Sequence, residues 1–246
     1  MIHWMFGTIL NVGGILVGGA VGLVRRKPLP TPAESYLQLV LAVFTVFSGL
    51  RLTWLSLGGT PFEIFKEILI LVFALMLGKL TGRLLGLQQL SNRLGRQARE
   101  RLVAARPDDP ERASEGFKAC AALFCAAPLG ILGAVQDGLT LSQYFYPLAI
   151  KAVIDGVASI GFVSLFGWGV LMAALPVLAF QGTISLVCLR YLEPLLSAHN
   201  LLESVNAVGG LLVFCVALVM LGLKRVQLAD YLPSLLFAPL LTSLWR

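Results

Sequence analysis

The chain has 246 residues, 57% of them hydrophobic and only 13% charged, with a mean hydropathy of +0.84. An ordinary globular domain carries roughly 25% charged residues, so this composition excludes a water-soluble protein with a polar shell and implies an integral membrane protein. The formal net charge of +6 does not point to nucleic acid, because the basic residues gather at the ends of apolar runs and in one loop.

In chain order the apolar runs predict an all-α, polytopic bundle of about eight spans. Span 1 is Phe6–Val24, uncharged and glycine-rich. The basic residues follow it instead of preceding it, so it reads as a retained span and not a processed leader. Span 2 covers about Tyr36–Leu55, span 3 about Phe62–Leu80, span 4 Ala119–Gln136 and span 5 about Ser142–Leu165. Span 6 covers about Trp168–Tyr191, span 7 Ser204–Leu223, and span 8 the short stretch Ala229–Trp245. The uncharged run Gly156–Leu189 is too long for one span, and the FGWG turn at Phe166–Gly169 divides it. The spans make residues 1–246 a single membrane domain, with residues 82–118 a basic cytoplasmic loop inside it. In that loop Leu87, Leu90, Leu94, Ala98 and Leu102 recur at helical spacing among arginines. The two readings are an amphipathic helix on the anionic leaflet and a solvated linker. The segment 105–116 after it is turn-forming and mobile by composition.

Three loops are basic: Arg25, Arg26 and Lys27; Arg83 through Lys118, with Arg93, Arg96, Arg99, Arg101, Arg106 and Arg112 between; and Lys224 with Arg225. Eight spans put all three on one face, which the positive-inside rule makes cytoplasmic, leaving both termini outside. Val40–Arg51 aligns without gaps to Val213–Lys224, Gly7-Thr8-Ile9 matches Gly182-Thr183-Ile184, and Pro61 matches Pro233, all at nearly one offset. Spans 1–3 and 6–8 therefore read as an inverted repeat, the architecture of many secondary transporters, whose sites lie near the midplane.

Between Gly138 and Leu189 the only formal charges are Lys151 and Asp155. Their i,i+4 spacing places them on one helix face. A charge at the bilayer centre costs about 2.5–3.5 kcal/mol on insertion scales. Three readings follow: an ion or proton site or gate latch, a neutralised pair that fixes packing, and charges at an interface on a shorter span. Pro128, followed by Gly130 and Gly133, breaks span 4 and frees carbonyls that need partners. Asp137 closes that segment at the outer face as a surface charge or mouth residue. Asn11, Gln181 and Asn206 are polar residues within spans, singly explained by packing and functional if they converge on Lys151 and Asp155. Gly13-Gly14 and Gly18-Gly19 make one face of span 1 smooth enough for close packing, including a homo-oligomer contact. The four cysteines (Cys120, Cys125, Cys188, Cys215) lie within spans without CxxC spacing and read as free, buried residues. No GxSxG, HExxH or P-loop occurs, and His3 and His199 lie outside the spans, so no enzyme, cofactor or metal site is expected.

GTILNVGGILVGGAVG, FCAAPLGILGAVQDGL, KAVIDGVAS, LAFQGTISL and ESVNAVGGLLV…LGLKRVQLADYLPSLLFAPLL, in that order, resemble the YqgA/YdfK-like bacterial membrane proteins, the family of domain of unknown function 554. One departure is Ala127-Pro128-Leu129, where that family often has Gly-Pro-Met. The resemblance covers nearly the whole chain and implies a bacterial inner-membrane location, without an activity. The residues themselves point to a transporter or channel for a small solute or ion, lined by Lys151, Asp155 and the Pro128 break. The alternative is a non-transporting membrane scaffold or oligomeric partner.

Overall fold

The computed structural model describes residues 5–25, 29–104, 110–140 and 144–245. His3, Arg26, Lys27, Arg106 and Ser142, named above, lie outside the described residues, as does most of the first half of the 105–116 segment. Among the described residues all regular structure is helical. The helices are α1 (Phe6–Arg25), α2 (Thr31–Leu55), α3 (Pro61–Leu84), α4 (Leu87–Ala104), α5 (Arg112–Ala126), α6 (Pro128–Leu139) and α7 (Tyr146–Phe166). There follow α8 (Gly169–Met172), α9 (Ala174–Val187), α10 (Glu193–Ala198), α11 (Leu202–Met220), α12 (Leu228–Tyr231) and α13 (Ser234–Leu244). A π-turn at Cys188–Leu192 joins α9 to α10. Among the described residues five helical stretches are long and apolar enough to cross a membrane: α1, α2, α7, Gly169–Ala198 and α11. The bent pairs α3–α4 and α5–α6 raise the number to as many as seven, and the expected eighth span is the shorter apolar stretch Leu228–Leu244.

Local chemistry sets several boundaries. Thr60 caps α3 in a reciprocal box with Glu63, and Pro61 opens the helix where its missing N–H costs nothing. Pro128 does the same for α6 while ending α5, because Ala127 before it is forced extended (φ −66°, ψ 122°). The result is a 59° bend. The turn inside FGWG is confirmed: α7 stops at Phe166 and Gly167 takes φ +70°, a left-handed conformation that suits glycine.

The chain divides into two compact units, one of Met1–Gln38 with Ser91–Leu186 and one of Leu39–Leu90 with Val187–Arg246. In the first, α1 and α7 run parallel in backbone contact. A Cβ on Gly14 would sit 2.3 Å from the Ala152 carbonyl, and one on Gly18 would sit 2.0 Å from that of Gly156. The glycine face of α1 is thus used inside the chain, where small residues let backbones approach. Below this seam a core of Ile15, Cys120, Phe124, Val163, Phe166 and Val177 forms. The basic helix α4 joins that core. Ala98 is 1% exposed, Leu102 packs against the cluster, and Arg101 with Lys118 engages Glu115 of α5. Lys118, donating to Glu115 at 2.9 Å, and Arg101 hold the Glu115 carboxyl below the usual carboxylate range. The apolar face of α4 is therefore satisfied at least partly by protein.

In the second unit α2 and α11 run antiparallel. Thr53 donates to the Ala207 carbonyl at 3.1 Å, while Thr45, two turns earlier, lies 4.0 Å from the sulfur of Met220. Helices α3 and α13 are likewise antiparallel, with the Lys66 ammonium on the Trp245 carbonyl and Gly78 against Ser234. Gln88 and the α12 turn bond reciprocally: Gln88 N–H donates to Asp230 at 2.9 Å and Ala229 N–H donates to Gln88 at 3.1 Å. All four cysteines are free thiols.

Candidate functional site

The polar centre belongs to the first unit. Lys151 and Asp155 lie one turn apart on the inward face of α7, 2% and 5% exposed, and the Lys151 ammonium donates to Asp155 Oδ2. Both charges are enclosed by protein and neither is presented to solvent. The Phe124 ring centre lies 5.7 Å from Lys151 Nζ, where its negative face favours the cation. Ser159 donates to the Asp155 carbonyl at 2.7 Å.

Three other elements converge on this pair. Gly130, in the first turn of α6, faces it so closely that a Cβ there would lie 2.8 Å from Lys151 Cε and 3.0 Å from Gln181 Nε2. Gln181, on α9, is fully buried, and its Oε1 accepts from Asn11 Nδ2 of α1 at 3.1 Å. The Asn11 side chain also lies beside the Asp155 carboxylate. Lys151, Asp155, Asn11, Gln181 and the break after Pro128 thus form one group. Asn11 Oδ1 and Gln181 Nε2 have no hydrogen-bond partner. A buried polar atom without a partner costs about 1–3 kcal/mol, so Asn11 Oδ1 and Gln181 Nε2 leave hydrogen-bonding capacity unspent beside the ion pair.

Asp137 differs from its sequence expectation. It is fully buried, and its carboxylate accepts from the N–H groups of Gly7 at 3.2 Å and Thr8 at 3.3 Å. It therefore caps the start of α1 from another helix, where a negative charge meets the positive end of the helix dipole. Its surroundings are protein, not an aqueous mouth. Asn206 lies on α11 in the second unit, with its Oδ1 buried and unpartnered. Sequence reasoning missed Gln136, fully buried with both amide atoms unpartnered, and Thr8, whose hydroxyl is also orphaned. A glutamine directly before Asp137 at the end of an apolar run is the signal that could have found the first.

A family model described as "Protein of unknown function (DUF554)" matches residues 6–243. The chain belongs to this family. It is 30% identical over 237 residues to the "Uncharacterized membrane protein YdfK" of Bacillus subtilis (strain 168), covering 96% of this chain and 94% of that one. It is 25% identical over 242 residues to the "Uncharacterized protein YqgA" of Escherichia coli (strain K12), covering 98% and 97%. No solved structure matches. The family supports a membrane protein and brings no activity, so the chemistry of the polar group carries the functional argument.

Proposed function

We propose that this protein moves a small solute or ion across the bacterial inner membrane, with Lys151 and Asp155 as the working pair. The observation that carries the reading is the convergence of a fully buried ion pair, two half-satisfied amides and a broken helix. Broken helices that expose backbone groups at membrane depth recur at transport sites. The basic loops favour both termini on the outer side.

Packing directions support eight crossings and the inverted repeat. Helices α1 and α7 run parallel, as first and fifth spans would. Helices α2 and α11 (second and seventh) and α3 and α13 (third and eighth) run antiparallel, as the matched halves of an inverted repeat would. The test is solute flux in proteoliposomes. Asp155→Asn is expected to abolish flux or its ion coupling while the protein stays folded, and full flux in that variant refutes the role. The closed geometry of the pair favours a second reading, a non-transporting scaffold in which the charges only fix packing. Under that reading, replacing both residues by leucine preserves assembly and phenotype.

A further inference from the structure

Beside the ion pair, three kinds of hydrogen-bond donor come together at the first turn of α6. Helix α6 is 12 residues long and starts afresh after Pro128, so its N-terminus is a positive dipole end inside protein. Pro128 has no N–H, the Gly130 N–H is spent on the Ala127 carbonyl at 2.9 Å, and the Leu129 N–H comes before any acceptor within the helix. Gln181 aims its unpartnered Nε2 at this same turn, its orientation fixed by the bond that its Oε1 accepts from Asn11. Lys151 reaches the turn with its terminal methylene, one bond from the ammonium. A helix N-terminus, an amide N–H and an ammonium share one preferred ligand, which is an anion.

We propose that this turn is a binding site for a small monovalent anion, of the size of chloride or nitrate, bound by Lys151, Gln181 and the start of α6. The inference rests on the transport reading and names its substrate class. Gly130 brings the turn against both side chains, since even a Cβ there would meet Lys151 Cε and Gln181 Nε2, so an anion enters only as these flexible ends draw back. Asp155 is the resident counter-ion: it occupies Lys151 while the site is empty. For an anion to take the ammonium, Asp155 must accept a proton from solvent, since otherwise the buried group carries a net negative charge. The balance is one proton onto the Asp155 carboxylate and one anion onto Lys151, and the site stays neutral before and after. The groups within electrostatic reach of Asp155 are Lys151 on its own helix, the Cys120 and Cys125 thiols of α5 and the Asn11 amide of α1; Gln181 of α9 and Gly130 of α6 stand on the Lys151 side. None of these neighbours is a second carboxylate that could take the proton instead.

The test uses the full chain in proteoliposomes, with chloride, nitrate, sodium, potassium and glycerol as separate probes and an internal pH dye. Expected is chloride or nitrate flux accompanied by protons in the same direction. Gly130→Ala, whose added methyl meets only flexible side-chain ends, and Gln181→Glu, of unchanged size, keep the protein monodisperse in detergent. Gln181→Glu lowers anion flux by about tenfold or more, as loss of a hydrogen bond to a charged group implies, and Gly130→Ala lowers it by crowding Lys151 and Gln181. Anion flux unchanged in both variants overturns the site. Flux of a cation or of glycerol that depends on Asp155, without anion flux, overturns the anion class and leaves the transport reading standing. If none of the five probes moves through the wild-type protein, the anion site is overturned, and the charge pair reverts to a packing role.

Discussion

The polar centre of the first unit and a cleft in the second handle charge in opposite ways. In the first, one acid and one base neutralise each other within a helical turn and are closed off. In the second, a cavity of about 320 Å3 is lined by Glu63, Glu67, Glu203 and Lys66 over a floor of Ile70 and Val208. Among the described residues none of those three carboxylates forms a salt bridge, and the Lys66 ammonium is held by the Trp245 carbonyl. The difference follows from access to water. An open cleft lets solvent screen its charges, whereas enclosed charges must find partners in the protein or become very costly. Pairing inside the first unit is therefore a condition of folding, and a functional role has to work through it.

Four single changes and one double change sharpen this contrast, the single ones in falling order of expected effect. Lys151→Met leaves the Asp155 charge buried alone and should destabilise by about 3–5 kcal/mol. The double change Lys151→Met with Asp155→Leu should recover most of that loss, and thermal unfolding in detergent compares the two. A double variant as unstable as the single would mean that the pair itself supplies the stability. Gly18→Ala drives a methyl into the Gly156 carbonyl, a backbone atom that cannot step aside, and should cost about 1–3 kcal/mol or more by overpacking. Asp137→Ala removes the acceptor of two N–H groups at the start of α1. It should cost about 1–2 kcal/mol, the usual worth of a helix cap, and hydrogen exchange at Gly7 and Thr8 reads it locally. Glu203→Gln, in the open cleft, should change stability by less than about 0.5 kcal/mol; a larger loss would show that the cleft charges are coupled after all.

The surface cluster on α4 and α5 adds a dependence on pH. Glu115 is held below its ordinary range when folded, so its contribution is present above the unfolded carboxylate pKa. It is lost as pH falls through the lowered folded value. Glu115→Gln should flatten that acid limb slightly in a pH series of unfolding curves, and added salt should mimic it.

Much of the candidate site was legible before any coordinates. The i,i+4 spacing of Lys151 and Asp155 requires a shared helix face, and a proline after an extended Ala127 requires a helix break. The apolar runs located the helices because backbone groups in lipid leave few alternatives. Asp137 was misread because its partners, the N–H groups of Gly7 and Thr8, lie far away in sequence and have no side-chain signature. The glycine face of α1 was recognised as a contact surface, but its mate could not be, since Ala152 and Gly156 look like any small residues in a span.

Composition and local spacing alone determined that this is a helical membrane protein, where its helices run, and that one of them carries a paired acid and base. These properties depend on backbone hydrogen bonding and helical periodicity, which act over a few residues. Only the tertiary structure decided that Gln181 and Gly130 meet at Lys151, that Asp137 caps α1, and that donors gather where α6 begins. Such meetings depend on how helices pack and which way their axes run. That is set by the sum of many weak apolar contacts between distant segments, and no stretch of the chain carries it by itself.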